Sequence, residues 1–278
     1  MTIATNATAL DASRLRLVLP HWLRVFGDRF SELLVVIDDK PPEGRIAALH
    51  GAGGSLDDVR NLVAEFASVD RRVRAVDLPK GDRLDEILAA WFGHERPIRC
   101  RAGTPVAAFV AAIELAHHDT VLRADCDMLF HDSGWLEAGF ESLHAQGTHV
   151  VEPHRLAADP DTAISTRVML TRRENLRISL LPMRAHRVDP LRQLHALLNG
   201  ATPWLALEQM LEVERRQGRL RYLRLPRQLG FWLHVARRAD AELPVMQDVV
   251  TAMEADTLPA AQLHSFDFVA DAWARSVA

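Results

Sequence analysis

The segment Thr120-Val-Leu-Arg-Ala-Asp125-Cys126-Asp127-Met-Leu-Phe sets two carboxylates two residues apart, where an apolar run meets a polar loop. In extended backbone, residues i and i+2 point to the same side. Asp125 and Asp127 are therefore expected to share the space beyond a strand's carboxyl end, where open α/β sheets bind ligands. Hard oxygen ligands at that place suit Mg²⁺ or Mn²⁺ bridging a diphosphate. Taken alone, an Asp-x-Asp more often has a plainer use, with Asp125 capping a turn and Asp127 facing water. Its position after a third or fourth strand favours the ligand.

The elements that must position these carboxylates alternate, which favours an α/β fold with a mainly parallel sheet. Thr2 to Thr5 is a short strand ending at Asn6. Asp11 can cap a helix with the apolar stripe Leu15, Leu19, Trp22, Leu23 and Phe26, bent at Pro20 and ended by Gly27. Leu33 to Ile37 is a continuous apolar run, the mark of a strand buried on both faces, and it stops at Asp38-Asp39. Ser55 and Asp58 resemble a capping box. Val73 to Leu78 is the third strand, and Asp82 opens a helix through Trp91. Thr104-Pro105 starts another, and Thr120 to Ala124 is the fourth strand. Beyond Trp135 the pattern is less regular. Helices are expected from Trp135 to His144, after Asp189-Pro190, after Thr202-Pro203 and from Val245 to Met253. Strands are expected at His149 to Glu152, Ser165 to Thr171, Leu220 to Leu225 and Phe231 to Val235, with Gly218 closing the helix before the third of these. No internal repeat, low-complexity tract or Gly/Ser linker divides the chain, so one compact domain over 1–278 is expected.

Composition narrows the class. The chain has 278 residues, 48% hydrophobic and 25% charged, with net charge -4, which excludes disorder throughout and a global field for nucleic acid or anionic membranes. All but Lys40 and Lys80 of the 33 basic residues are arginine, as expected from a GC-rich bacterial genome. Two cysteines, Cys100 and Cys126, are too few for a disulfide framework and are expected as reduced thiols. No signal-peptide pattern and no apolar run of ~18 residues occurs, so a cytoplasmic protein is expected.

The order strand TIATN, helix, strand LLVVIDD, helix, strand, then RAGTPVAAFVAAIELAHHDTVLRADCDMLF resembles the nucleotide-binding half of GT-A glycosyltransferases. It is similar to the large inverting family that includes cellulose and chitin synthases. The likeness covers roughly residues 1–236, and the order of short motifs carries it. It implies a GT-A (Rossmann-like) mainly parallel sheet with helices on both faces and an irregular acceptor-side half. Residues 1–130 would form the nucleotide-sugar-binding half, and 131–278 the acceptor-binding half and C-terminal tail. Asn6, Asp38, Asp39, Arg101, Gly103 and Asp125 would contact the donor. Asp38 or Asp39 matches an acidic residue near the base or ribose, and Arg101-Ala-Gly103-Thr-Pro loosely matches a glycine segment before the Asp-x-Asp. Asp125, Asp127 and His234 would hold the metal, with Asp125 also near the ribose or donor sugar. Leu207-Glu208 through Gly218 to Pro226 looks like the family's acidic helix, glycine turn, strand and proline. Its catalytic base falls near Glu208, about one residue out of register. Phe231-Trp-Leu-His234 matches the region where many members place a metal-binding histidine.

The chemistry implied is inverting transfer of a sugar from a nucleoside-diphosphate sugar, UDP by default, to an acceptor hydroxyl, with Mn²⁺ or Mg²⁺. The acceptor would be a small molecule, a glycan, a lipid-linked glycan or a protein. Nucleic acid is not expected as a partner, and a second copy of the chain could pack on the apolar C-terminal tail. Each residue also has a plainer use. Glu208 could be an exposed first-turn glutamate favouring the helix dipole, His234 a hydrogen-bonded core histidine, and Asp38-Asp39 a strand end. Arg101 could pair with a diphosphate or be a surface arginine. Trp204 could wall the acceptor site or join the core. His264 is a weaker second metal candidate, while His117, His118 and His154 lack ligand spacing. Arginines 215, 216, 219, 221, 224 and 227 mark solvated faces or attract an anionic acceptor. Competing readings are a degenerate glycosyltransferase-like protein that only binds a sugar nucleotide and a haloacid-dehalogenase-like phosphatase. The latter is disfavoured by Leu129 two residues after Asp127. A nucleotidyltransferase lacks its expected glycine- and lysine-rich N-terminal loop.

Overall fold

The computed structural model describes residues 1–40, 54–92, 106–145, 147–156, 164–180, 207–235, 243–265, 267–269 and 273. Its strands are β1 (Thr2–Ala7), β2 (Glu32–Ile37), β3 (Val73–Asp77), β4 (Thr120–Ala124), β5 (Met128–Phe130), β6 (Val150–Glu152), β7 (His154–Arg155), β8 (Val168–Arg172), β9 (Tyr222–Arg224) and β10 (Phe231–His234). Its helices are α1 (Ala12–Phe26), α2 (Leu56–Val69), α3 (Asp82–Phe92), α4 (Ala107–Glu114), α5 (Trp135–Ala145), α6 (Arg173–Leu180), α7 (Leu207–Arg216) and α8 (Leu243–Glu254).

Seven strands form one sheet in the order β3-β2-β1-β4-β8-β6-β9. Only β8 runs against its neighbours β4 and β6; the other pairs are parallel. The expected mainly parallel α/β sheet is therefore present. The apolar run in β2 is buried at every position, because helices cover both faces. Leu33, Val35 and Ile37 join one core with α1, α2, α5 and α8, while Leu34 and Val36 join a second with α3, α4, α6 and α7. The period of two assigns Ile3, Ala7, Leu122 and Ala124 to the first core, and Ala4 and Val121 to the second. No helix among the described residues is long and apolar enough to cross a membrane.

A second sheet, β5-β10-β7, lies beyond the main one. Here β5 was not anticipated, because three residues straight after a turn carry too little pattern to read. It is held by α1. Trp22 Nε1 donates to the Met128 carbonyl at 2.9 Å, and His21 Nε2 accepts from the Phe130 amide at 3.0 Å. Helix α1 differs from expectation in two details. Asp11 does not cap it with its side chain; the carboxylate instead accepts from the Thr8 amide and hydroxyl, both at 2.8 Å, and closes the turn after β1. The buried stripe takes Val18 and His21 and leaves Leu23 partly exposed, because α8 packs on the same helix. The Ser55–Asp58 capping box forms as expected. Strand β8 starts at Val168 rather than Ser165, since Thr166 and Arg167 are used beside the Asp-x-Asp turn. Thr104, Pro105, Asp189, Pro190, Thr202 and Pro203 lie outside the described residues.

Candidate functional site at the carboxyl edge of the sheet

The parallel register Ala4↔Arg123 carries Asn6, two residues on, level with Asp125 at the carboxyl ends of β1 and β4. Residues 125–127 are not extended; they turn, with the Met128 amide donating to the Asp125 carbonyl at 3.2 Å. The expectation that both carboxylates share one side therefore gives way to a division between two groups of partners.

Asp125 belongs to the α4 side. Its Oδ1 accepts from Arg123 Nη1, and Arg123 Nη2 donates to Asn6 Oδ1. Arg123 is 3% exposed, with its guanidinium 4.9 Å from the Phe109 ring centroid. Val121 and Arg123 share a face by the period of two, which aims the arginine at α4 and away from α1. Its Nη1 also reaches the Thr166 carbonyl at 3.4 Å, and the Thr166 hydroxyl donates to Glu208 Oε1 at 2.9 Å. Glu208 stands in the first turn of α7. Antiparallel β8 makes this meeting possible: the Asp125 amide donates to the Arg167 carbonyl at 2.8 Å, which brings the residues before β8 alongside the turn.

Asp127 belongs to the small-sheet side. It is 2% exposed, and its Oδ2 lies 3.4 Å from His234 Nε2. The antiparallel pairing His234↔Met128 sets that distance, and the Val235 amide donates to the Asp127 carbonyl at 3.0 Å. On the other side of the ring, His234 Nδ1 lies 2.5 Å from Asp267 Oδ1. A proton on Nδ1 would let the ring donate to that carboxylate. Arg167 Nη1 sits 3.2 Å from the same oxygen and 2.9 Å from Nδ1. Burial disfavours the charged ring, but the Asp127 charge and hydrogen bond, with Asp267, outweigh it and push the His234 pKa up to about 9. Burial also raises the Asp267 carboxyl, and the bond and charge of His234 outweigh this to leave it low.

These donors fit a divalent cation in part, where the cation displaces the proton that the raised pKa keeps on His234. Two ligands bonded at about 2.1 Å and separated by 90–110° lie roughly 3.0–3.4 Å apart, and the Asp127–His234 spacing of 3.4 Å falls there. A histidine whose second nitrogen is anchored on a carboxylate is the common outer-shell arrangement of a metal ligand. Among the described residues no group of three or more His, Cys, Asp or Glu side chains forms a metal cage. Mg²⁺-type ions take one or two protein ligands and complete their shell with phosphate and water.

The remaining expected residues are placed as follows. Asp38 is 7% exposed at the end of β2; burial raises its carboxyl, and Oδ1 accepts from the Lys40 amide at 3.0 Å. Asp39 pairs with Lys80. Arg101, Gly103, Trp204 and Cys100 lie outside the described residues. Cys126 is buried between the two aspartates. His264 is exposed in the turn Gln262–His264. His117 and His118 contact Glu32 and Thr2 at the opposite, amino edge of the sheet. Within the arginine run, Arg215 and Arg216 pair with Glu212, and Arg219 pairs with Glu214. Arg123, Thr166, Arg167 and Asp267 were not singled out from sequence. Arg123 left one signal, a charge inside an otherwise apolar strand; Asp267 left none.

No protein-family model matches the sequence, and no curated protein matches it. Among solved structures the chain is similar to the galactosyltransferase LgtC in complex with donor and acceptor sugar analogs. The two share 15% identity over 80% of this chain and 73% of that chain, with a TM-score of 0.44. It is also similar to glucosyl-3-phosphoglycerate synthase from Mycobacterium tuberculosis in complex with Mn²⁺, UDP and phosphoglyceric acid. There identity is 14% over 91% and 76% of the two chains, with a TM-score of 0.41. A third is described as a glucose-1-phosphate thymidylyltransferase from Bacillus anthracis, in complex with sucrose, at 10% identity over 90% and 94% with a TM-score of 0.45. Likenesses of this degree assign no activity, and the functional reading rests on the residues at the sheet edge.

Proposed function

We propose that this chain is a glycosyltransferase that moves a sugar from a nucleoside-diphosphate sugar to an acceptor hydroxyl with inversion. The observation that carries the reading is the grouping at one sheet edge of Asn6 with Asp125, of Asp127 with His234, and of a separate carboxylate, Glu208. Ligand sites at carboxyl ends of strands are the rule for open α/β sheets. Residues 1–130 would supply the donor side, and 131–278 the acceptor side within one domain.

In this reading Asp38 or Asp39 faces the base or ribose, and Asn6 and Asp125 orient the donor's hydroxyl groups. Asp127 and His234 would hold Mn²⁺ or Mg²⁺, which when bound would offset the charge that develops on the departing diphosphate. Glu208, steadied by the Thr166 hydroxyl, accepts the proton of the acceptor hydroxyl. The acceptor oxygen bonds to the anomeric carbon from the face opposite the diphosphate. The bond from that carbon to the phosphate oxygen breaks, and its electron pair leaves with the diphosphate.

The test is thermal stabilisation by UDP, GDP, dTDP and CDP, with and without Mn²⁺, followed by donor turnover. Ligand binding to the folded state alone must raise stability, by ~2.7 kcal/mol at a hundredfold excess over Kd. A metal-dependent rise with one nucleotide is expected and names the base. No rise with any of the four sinks the reading. Binding without transfer or donor hydrolysis identifies a degenerate binding protein instead.

A further inference from the structure

We propose that Arg123 is the positioning residue of the donor side, fixing Asn6 and Asp125 at a set spacing beneath the nucleotide sugar. The proposal rests on the glycosyl-transfer reading above. Arg123 lies on β4 in the centre of the main sheet and is 3% exposed. A buried cation is costly unless it is paired and hydrogen-bonded, and apolar residues often serve stability better at such places. Here the pairing is incomplete. Nη1 and Nη2 are engaged, while the buried Nε finds no hydrogen-bond partner among the described residues. The arginine is thus poorly explained by stability alone.

What the guanidinium does supply is geometry. Its planar fork places one donor on Asp125 Oδ1, in the turn after β4, and the other on Asn6 Oδ1, on β1. The Phe109 ring on α4 lies against the guanidinium and limits its swing. Asn6 and Asp125 therefore move as one unit, and their remaining polar atoms keep a fixed relation at the sheet edge. Lysine at 123 would keep the charge and lose the fork, since an ammonium is a point donor on a flexible stem. Asp127 and His234 are joined through the small sheet, by the pairing His234↔Met128.

The experiment compares wild type, Arg123→Lys, Asn6→Ala and the double variant. Readouts are the melting temperature, Mn²⁺ affinity without nucleotide, and affinity for the nucleotide diphosphate selected by the wild type. Arg123→Lys is expected to stay folded, keep its Mn²⁺ affinity within twofold, and lose nucleotide affinity at least tenfold. Asn6→Ala is expected to weaken the nucleotide too, and to add little once Arg123 is lysine, since neighbours in one network are non-additive. Nucleotide affinity unchanged in Arg123→Lys overturns the proposal. So does a parallel fall of Mn²⁺ affinity, nucleotide affinity and melting temperature, which would mean general damage. If Arg123→Lys does not fold, Asn6→Ala alone decides, and unchanged nucleotide affinity there overturns the proposal. A wild type that binds none of the four nucleotides overturns glycosyl transfer and this role together, and is recognisable because the failure is in the wild type.

Discussion

At the scale of single residues, the Asp125–Asp127 turn separates two carboxylates of like chemistry by giving them unlike partners. A guanidinium beside Asp125 engages an oxygen that would otherwise be open to a cation, while Asp127 faces an imidazole nitrogen at 3.4 Å. Asp127→Asn keeps the shape and removes the charge. Titration calorimetry should show Mn²⁺ affinity falling by ~10–100-fold or more, and an unchanged isotherm would remove Asp127 from the cation site. Glu208→Gln keeps the contact from Thr166 and abolishes basicity. Turnover should fall by ~10²–10⁴-fold, the usual share of a general base, with nucleotide affinity unchanged. Full activity in that variant would transfer the base to another group.

At the scale of elements, two packings hold the edge in place. Gly54 has φ +103°, and a Cβ there would lie 2.1 Å from the Ala9 carbonyl oxygen, in the turn after β1. Both the backbone conformation and the contact exclude a side chain. Gly54→Ala should cost ~2 kcal/mol or more, seen as a lowered denaturation midpoint, and an unchanged midpoint would mean that the turn yields. The second packing is α1 against β5 and α8. His21 is fully buried, with Nδ1 2.9 Å from Glu254 Oε1 and Nε2 accepting from the Phe130 amide. Only the neutral ring with its proton on Nδ1 serves both partners. Burial lowers the His21 pKa, and Glu254 offsets this only partly. A base with a lowered folded pKa contributes stability above its unfolded value of ~6.5, and that contribution is lost as pH falls below it. Unfolding measured from pH 7.5 to 5.5 should show this fall, and His21→Gln should flatten part of it. An identical pH dependence in the variant would move the effect to other groups.

At the scale of the molecule, strands from both ends of the chain enter one sheet, with β4 lying between β1 and β8. The candidate site draws Asn6, Asp38, Asp125 and Asp127 from the first part, and Glu208, His234 and Asp267 from the second. The main sheet sets Asn6 beside Asp125, and the small sheet sets His234 beside Asp127, so the site spans both. Calorimetry of 1–278 should therefore give one cooperative transition with equal calorimetric and van't Hoff enthalpies. Two resolved transitions would contradict a single domain. Nucleotide with Mn²⁺ should move that transition upward as a whole, because its proposed partners come from both parts.

Local pattern alone determined much of this. The unbroken apolar run of β2 announced burial on both faces, the Ser55–Asp58 spacing announced a cap, and the alternation of elements announced a mainly parallel sheet. Those features are encoded within about a dozen residues, where period and propensity act directly. The Asp-x-Asp at the end of β4 was legible for the same reason, and so was its place at the carboxyl edge of the sheet. What the tertiary structure decided was the company each carboxylate keeps. Asp267 reaches His234 across 33 residues, and Arg123 reaches Asn6 across 117. The turn at 125–127, the antiparallel run of β8 and the small sheet bring these groups together. Side-chain type and spacing carry no record of such meetings, because they depend on which strands become neighbours and in what register.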